Sequence, residues 1–496
     1  MKKLFIICIL SFSITYSLFA QTETDTTKVK GIPQELKEYI NVEKEPIEYK
    51  QVITSKNLFG KSKKCPKFLT KEQALEDIEM LQYLFDTAYS GREYWENHGV
   101  DFNGMYENLR KFVENCDDGV ATEELEKIIV QSLQEITDGH LNIDGAKHHR
   151  FFKHKTAYFS DLLLEKRGDN FVVIDSKIKS VPKGNIFTDE EKYLFLTLSA
   201  KGKKDFLIGT LSYEKITSIK LKFDGKIKEI PIHKCKMGHN DLLLDEMLKK
   251  PFFVKKKNDV PILRVTDFYS NYKDLKQFEN YAYKLKNSNR FIFSLYNNNG
   301  GSSNYPENFI KNLNGYCHFM QEVELSSPST KQFWANLDID KIEIDFVNKI
   351  ILDAREKVKE YKKEPLREWL YESNPQDNSE QSNKEDGKYQ GLIIVLANRG
   401  TASSGEVAVF YAKSIKNNIF IGENTGGVGR FGEMLSYYLP NSNILLQLPS
   451  KIFFYPGYDC PEGVGFMPDY WLDLSRPVKE VVRWLMNPDT YQYKLK

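Results

Sequence analysis

A serine-containing turn between an apolar strand and a helix is the segment of this sequence best suited to chemistry. The apolar run 392–396 predicts a buried strand, and Gly-Thr-Ala-Ser403-Ser404-Gly leads from it into a helix. Amides and the dipole at a helix start favour the negative charge that develops on a carbonyl oxygen during acyl transfer. Ser403 is therefore a candidate nucleophile. The alternative is that Ser403 or Ser404 only caps the helix.

A pair of glycines ends another predicted strand. The apolar run 291–295 is followed by Tyr-Asn-Asn-Asn and then Gly300-Gly301. Paired glycines permit a backbone conformation that points amide groups at a ligand. The loop is therefore either an oxyanion hole or an ordinary turn.

One histidine and one glutamate stand in glycine-containing segments that can face a cleft. His140 follows Asp-Gly where a helical region ends, and Glu462 lies in Cys-Pro-Glu-Gly-Val-Gly-Phe-Met-Pro-Asp. The alternatives are a structural histidine and a surface turn. His148, His149 and His154 lie in a basic stretch and are expected to form a solvated face, so no metal site is assigned to them.

Taken together, these segments resemble the tail-specific, or C-terminal-processing, serine peptidases, including their tricorn-type branch. The resemblance covers most of residues 66–475 in the family's order. It rests on D-G-H, N-N-x-G-G, [ST]-A-S-x-x-E, G-E-x-T-x-G at 422–427, and E-G-x-G-x-x-P-D. Each motif alone is weak, whereas the five in order are specific.

The resemblance implies a role for each matching residue near the turn. Ser403 matches the family nucleophile, three residues before Glu406. The amide of Ser404 and an amide of Gly300 or Gly301 match the oxyanion hole.

The resemblance also implies which base serves the nucleophile. Many family members use a lysine after G-E-x-T-x-G, but here the chain reads Gly-Val-Gly-Arg430, and an arginine stays protonated. The tricorn-type branch uses a histidine oriented by a glutamate, and His140 and Glu462 fall at those places. The implied relay is Ser403–His140–Glu462, with His140 taking the serine proton and returning it to the leaving amine.

Two parts of the sequence depart from the family pattern. The strand before the glycine loop usually carries D-x-R, where this chain has Ser294-Leu-Tyr296. The middle segment lacks a Gly-Leu-Gly-Phe-like carboxylate-binding loop, so it is expected to be only PDZ-like.

The composition excludes several other classes of protein. The 496 residues include 70 basic and 69 acidic side chains, and 41% are hydrophobic. That fraction excludes a wholly disordered chain, and the charge balance argues against nucleic acid as the main partner. A mean hydropathy of −0.50 excludes a polytopic membrane protein.

The N-terminus predicts export. Met-Lys-Lys precedes an apolar stretch that ends at Ala20, which is the pattern of a cleaved signal peptide. The alternative is an uncleaved anchor, although the run is short for spanning a bilayer. Five widely spaced cysteines follow, which is neither a disulfide framework nor a zinc cage, although one or two bridges are possible.

Periodicity and composition predict how the chain is divided. Thr70 starts a capping box, a second helix begins near Thr122, and short strands follow. This patterning predicts an α/β fold, and the family resemblance implies a ClpP/crotonase-like core. The predicted segments are a signal peptide (1–20), a polar leader (21–65), a helical domain (66–150), a β-rich PDZ-like module (151–255) and a peptidase core (256–480) with a charged insert (about 320–390).

The sequence therefore predicts an exported, periplasmic or secreted serine endopeptidase that cleaves peptides or unfolded chains through an acyl-enzyme. It requires no cofactor or metal, binds no nucleic acid, and has no stable membrane insertion after signal cleavage; an oligomer is compatible with it. The alternatives are a non-catalytic peptide- or ligand-binding protein on the same scaffold and an envelope scaffold that grips partner C-termini.

Overall fold

The chain divides into two units. The first comprises residues 1–153, 319–382 and 430–456, and the second comprises 154–318, 383–429 and 457–496. The predicted domain boundaries remain predictions beside this division.

The computed structural model describes most of the chain between residues 64 and 473. The predicted signal peptide, nearly all of the leader, and residues 372–387 of the insert lie outside the described residues. Those described are 39–40, 64–145, 147–198, 204–236, 251–257, 259–269, 272–335, 352, 355, 368–371 and 388–473.

The described helices fall in two groups along the chain. Their bounds are α1 Lys71–Ala88, α2 Arg92–Asn97, α3 Phe102–Glu114, α4 Thr122–Ser132, α5 Tyr272–Leu285, α6 Asn304–Asn314, α7 Pro328–Ala335 and α8 Ser404–Ala412.

The described strands run from residue 68 to residue 471. The strands before residue 240 are β1 Phe68–Leu69, β2 Val120–Ala121, β3 Asp138–Asp144, β4 His148–Phe151, β5 Thr156–Arg167, β6 Asn170–Ser176, β7 Ile186–Phe187, β8 Leu194–Leu198, β9 Lys204–Ser212, β10 Ser218–Phe223, β11 Lys226–Pro231 and β12 His233–Lys234. The later strands are β13 Phe252–Lys257, β14 Val260–Val265, β15 Arg290–Ser294, β16 Gln321–Ser326, β17 Glu368–Tyr371, β18 Leu392–Ala397, β19 Asn418–Gly422, β20 Phe431–Tyr438, β21 Leu445–Phe454 and β22 Tyr470–Trp471.

The helical part of the first unit begins where the capping box predicts. The Thr70 hydroxyl accepts from the Gln73 amide at 3.2 Å, and the Gln73 side chain accepts from the Thr70 amide at 2.9 Å. These two bonds satisfy donors that a helix start leaves without partners. One face of α1, including Ile78, Leu81 and Phe85, is buried in the core of this unit.

An antiparallel sheet completes the first unit and includes two strands from the predicted charged insert. Its order is β17-β16-β21-β3-β4, and β20 also pairs with β21. β16 and β17 come from the predicted insert, so these two strands belong to the fold of this unit. Val323 and Leu325 alternate with glutamates and are fully buried, which is the pattern of a strand with one face on a core.

The second unit is organised on a long mixed sheet. Its order is β11-β10-β7-β6-β5-β9-β8-β22-β19-β18-β15-β14-β13, and β14, β15, β18, β19 and β22 run parallel. All six residues of β18 are buried, as expected for a parallel strand covered on both faces. Since β15 and β18 are parallel neighbours, the loops after them emerge at the same edge of the sheet.

The predicted β-rich segment is continuous with this sheet. The short strands predicted after the helical region are present, among them β6, β8 and β10. β8 pairs with β22 at Thr197 and Trp471, where the threonine hydroxyl also donates to the tryptophan carbonyl at 2.6 Å. The mixed α/β architecture is confirmed, while the PDZ-like character of the segment remains a prediction.

Candidate active site

Ser403 stands in a strained backbone conformation at the start of α8. Its φ is 55° and its ψ is −127°. Residues other than glycine rarely adopt this backbone conformation, which costs about 1–3 kcal/mol. The turn is fixed because the Thr401 hydroxyl donates to the Leu295 carbonyl at 2.7 Å and accepts from the Asn398 amide at 3.1 Å. The structure thus holds Ser403 between a buried strand and a fully buried helix.

The glycine loop lies directly against this turn. A Cβ atom added to Gly300 would come within 2.8 Å of the Ser403 Cβ atom and 3.0 Å of the Ser404 nitrogen. A Cβ atom on Gly301 would lie 2.2 Å from the backbone of Phe268. The Ser404 hydroxyl donates to the Gly301 carbonyl at 2.6 Å. The structure therefore brings these four predicted site residues together, and only glycine fits at either loop position.

The two glycine amides differ in what they contact. The Gly300 amide donates to the Asn298 side-chain oxygen at 3.0 Å. Among the described residues, no acceptor is recorded for the amide of Gly301. The amide of Ser404 opens α8, where the first helical N–H groups have no partner within the helix. Gly301 and Ser404 are therefore the amides left to serve a ligand.

Asn298 supports the loop in the absence of the D-x-R pattern. Its side-chain amide donates to the Val265 carbonyl at 3.1 Å, while its oxygen accepts from Gly300. At the strand position of the missing aspartate, the buried Ser294 hydroxyl accepts from Arg264 at 3.3 Å. The loop is thus anchored to β14 by an asparagine of the N-N-x-G-G motif.

Glu406 is a buried carboxylate that the sequence prediction left without a role. Its Oε2 accepts from the amides of Ser403 at 3.2 Å and Val428 at 2.7 Å. Its Oε1 accepts from the Thr425 hydroxyl at 2.6 Å and the Gly427 amide at 2.8 Å. Burial raises its pKa above the ordinary value, and these donors act in the opposite direction. The spacing of serine and glutamate three residues apart, typical of a capping box, was the available signal.

The loop that carries Glu462 is bonded to the segment after β19. The Thr425 amide donates to the Phe466 carbonyl at 3.0 Å, and the Phe466 amide donates to the Thr425 hydroxyl at 2.7 Å. The Gly463 amide donates to the Gly427 carbonyl at 2.7 Å. Glu462 is half-buried in this loop and lies in the same unit as Ser403.

His140 lies in the first unit, on β3. Its amide and that of Leu141 donate to one oxygen of Asp138, at 2.8 and 3.2 Å, and the Tyr89 hydroxyl donates to the other at 3.0 Å. Burial lowers the pKa of His140 to about 4, although a hydrogen bond with the Phe431 backbone acts in the opposite direction. Burial raises the pKa of Asp138 to about 6. The imidazole is therefore neutral near pH 7, the form that can accept a proton.

The expectation of a solvated histidine face is wrong for two of its three members. His148 is exposed, but a ring nitrogen of His149 lies 3.1 Å from a Glu126 oxygen. His154 is half-buried, with its Nε2 atom 2.9 Å from the Thr425 carbonyl oxygen. Burial lowers the pKa of His154. Basic residues surround these histidines in the sequence and suggest a solvated face. The partners of His149 and His154 are distant in the sequence, so local composition does not predict them.

A second buried carboxylate adjoins the site in the second unit. Glu423 follows β19, its side chain is fully buried, and it pairs with Arg399 at 3.1 Å. Burial raises the pKa of Glu423 to about 7, while the guanidinium of Arg399 acts in the opposite direction. This ion pair joins the segment before the Ser403 turn to the segment that contains Thr425.

Three further findings bear on the predicted chemistry. In the described part of the chain, no group of three or more His, Cys, Asp or Glu side chains is arranged to hold a metal. The five cysteines after Ala20 are free thiols in the structure. No helix within the described ranges has both the length and the apolar character needed to cross a membrane.

Comparison with known proteins identifies the class. Residues 259–472 match the model described as peptidase family S41. These residues form a domain of that family, so the predicted family and the serine-type peptidase class are confirmed. The tricorn-type branch, with its Ser/His/Glu relay, remains a prediction. No curated protein matches the chain significantly.

Several solved structures are similar to this chain at low identity. Mature CPAF is 14% identical over 85% of this chain and 98% of its own, with a TM-score of 0.43. The photosystem II D1 C-terminal processing protease is 13% identical over 84% and 98%, with a TM-score of 0.37. The tricorn protease is 14% identical over 83% of this chain and 35% of its own, with a TM-score of 0.34.

Proposed function

We propose that this chain is an exported serine endopeptidase that cleaves peptides or unfolded protein chains through an acyl-enzyme, with Ser403 as nucleophile. The observation that carries the proposal is the strained Ser403 turn at the start of a buried helix, packed against Gly300 and Gly301. A hydroxyl in this position meets a substrate carbonyl beside backbone amides, which is what acyl transfer requires.

In the proposed reaction, His140 takes the proton of Ser403 as the hydroxyl oxygen attacks the peptide carbonyl. The tetrahedral intermediate then collapses, and the same imidazole gives the proton to the leaving amine. Water hydrolyses the acyl-enzyme by the reverse sequence of proton transfers. Glu462 orients the imidazole and stabilises its protonated form. Ser403 and Glu462 belong to one unit and His140 to the other, so the relay as a whole is part of the proposal.

The oxyanion hole is assigned to the amides of Ser404 and Gly301. The hydrogen bond of the Gly300 amide with Asn298 favours Gly301 of the two predicted glycines. Gly300 then serves the site by its lack of a side chain, because a Cβ atom there would press on Ser403 and on the Ser404 amide.

Export rests on the signal-peptide pattern that ends at Ala20. An N-terminus at Gln21 in the protein recovered outside the cytoplasm supports it, and retention of Met1 contradicts it.

The nucleophile is tested with a fluorophosphonate probe and an unfolded protein substrate. Wild-type protein is expected to be labelled at Ser403 and to cleave the substrate, whereas Ser403→Ala should do neither while keeping its unfolding temperature. Ser218→Ala is the control. It removes a hydroxyl near the surface of the same unit, on β10, and should behave as wild type. Full hydrolysis by Ser403→Ala would refute the assignment.

A non-catalytic binding protein on the same scaffold is the alternative that the missing D-x-R pattern favours. The same experiment separates the two, because a binding protein would show neither labelling nor turnover while still retaining peptides. Peptide retention without any labelling of wild type would therefore replace the endopeptidase proposal.

A further inference from the structure

We propose that Glu406 and Thr425 form a positioning pair that sets the orientation of the nucleophile turn and links it to the loop of Glu462. The inference rests on the proposed function for its kinetic consequences. It concerns two side chains that do not touch the reacting atoms but hold the residues that do.

Both oxygens of the Glu406 carboxylate are fully used as hydrogen-bond acceptors. Each oxygen accepts two hydrogen bonds of 2.6–3.2 Å, and each of these four donors is a neutral backbone amide or hydroxyl. The side chain has no exposed surface, and desolvation opposes its charge. A buried carboxylate is tolerated only when it is fully hydrogen-bonded, so the four donors and the charge depend on one another.

The donors to Glu406 come from segments that are separate in the sequence. One belongs to the turn of Ser403, and three belong to residues 425–428, more than one helix length further along the chain. The Cys460 thiol contributes a weak contact at 3.7 Å from the loop that contains Glu462. One carboxylate therefore joins three segments of the same unit.

Thr425 extends the link from Glu406 to the loop of Glu462. Its hydroxyl donates to Glu406 at 2.6 Å and accepts from the Phe466 amide at 2.7 Å, so it relays the bond to the far side of the Glu462 loop. A hydroxyl can donate one hydrogen bond and accept another at the same time. Phe466 and Glu462 lie at the two ends of the same glycine-containing turn.

The nucleophile needs this support because its backbone conformation is strained. Ser403 has a positive φ, and its own amide is tied to Glu406. The direction of this peptide plane governs both the serine side chain and the next amide, that of Ser404. Small displacements of a nucleophile or an oxyanion donor lower the rate of the chemical step more than they lower substrate binding.

Glu406→Gln is the central variant, because it keeps the shape and removes the charge. An amide offers one acceptor oxygen, so in either orientation two of the four donors face an NH2 group. We expect kcat to fall about 100-fold with KM within about threefold of wild type, and the rate of fluorophosphonate labelling to fall with kcat. Glu279→Gln is the matched control, a buried helical glutamate of the same unit that binds Lys276 and Asn308.

Thr425→Val and Thr425→Ser form a second, milder pair. Valine keeps the volume and loses the hydroxyl, so kcat should fall about 10-fold or more. Serine keeps the hydroxyl and should retain kcat within about threefold. The two substitutions separate the hydrogen bond from packing, even where Glu406→Gln lowers the yield of folded protein.

A readout without catalysis keeps the proposal independent of the proposed function. In a Ser403→Ala background, Glu406→Gln should speed amide hydrogen exchange in residues 423–428 and 460–466 but not in α5. Unchanged exchange there overturns the link, whether or not the protein is a peptidase. Wild-type kcat and labelling in Glu406→Gln, or equal kinetic losses in Glu279→Gln, overturn the positioning role and leave only a structural one.

Discussion

The burial of His140 makes the stability of the first unit depend on pH. Its folded pKa of about 4 lies below the ordinary value of 6.5, so folding favours the neutral ring. The stability from this group is fully present above pH 6.5 and is lost as the pH falls towards 4. Between pH 7 and pH 5 the loss amounts to about 2 kcal/mol, because only the unfolded chain is protonated in that interval.

Asp138 acts in the opposite direction over the same interval. Its folded pKa of about 6 is above its ordinary value of 3.8, so it favours folding when protonated. Its contribution is fully present below about pH 4 and is lost as the pH rises through 6. Lowering the pH from 7 to 5 therefore raises the free energy of unfolding by about 1 kcal/mol through this group. The net change in wild type is therefore smaller than the His140 contribution, and a variant is needed to isolate it.

His140→Asn isolates the histidine by removing the titrating ring. The free energy of unfolding is measured in urea at pH 7 and pH 5, with tryptophan fluorescence as the signal, because Trp95, Trp334 and Trp369 all lie in the first unit. The change between the two pH values should be about 2 kcal/mol more favourable in the variant than in wild type. His148→Asn, at an exposed position, should follow wild type.

The comparison depends on differences between pH values, so any cost of the substitution at pH 7 cancels. If His140→Asn loses as much stability as wild type between pH 7 and pH 5, the imidazole is not held neutral by burial. The assignment of His140 as a neutral proton acceptor would then lose its physical basis.

Two further substitutions test the second unit. Gly301→Ala should lower the free energy of unfolding by at least about 2 kcal/mol and abolish probe labelling, because its Cβ atom would meet the Phe268 backbone at 2.2 Å. Gly168 also has a positive φ but has open space around it. Gly168→Ala should therefore lower the free energy of unfolding by only about 1 kcal/mol and keep labelling. Glu423 has a folded pKa of about 7, above its ordinary 4.5, so its stabilising contribution is lost as the pH rises through 7. Between pH 5 and pH 8 this group should cost wild type about 2–3 kcal/mol of its free energy of unfolding, and Glu423→Gln should not show that loss. The free energy is measured by thermal or urea unfolding, and the same pH dependence in the variant as in wild type would contradict the prediction.

The part of the site that the sequence predicts best is the part built from contiguous residues. The apolar run of β18, the small residues after it and the start of α8 are each recognisable by local pattern, and the structure has all three in place. The glycine loop follows the same logic, because the apolar strand pattern places Gly300 and Gly301 in the loop after β15. Parallel pairing of β15 and β18 then brings the two loops together without further information.

The antiparallel sheet of the first unit is harder to predict for reasons visible in its strands. β21 contains Pro449, which cannot donate to a neighbouring strand and argues against a central position. Its carbonyl instead accepts from the Ser90 amide at 2.8 Å. β16 and β17 lie in a charged, polar stretch whose composition resembles a solvated insert. Only the pairing partners, distant in sequence, show that these residues complete a sheet.

Glu406 shows why a motif can be read and its chemistry still missed. The sequence places it three residues after Ser403, and a helix-capping pattern explains that spacing by local bonds alone. The other donors are 19 to 22 residues away, at Thr425, Gly427 and Val428. Because a carboxylate accepts up to about four bonds, a local cap uses only part of its capacity. Its other hydrogen bonds hold residues 425–428, the segment that is bonded to the Glu462 loop. Neither periodicity nor composition predicts these long-range bonds.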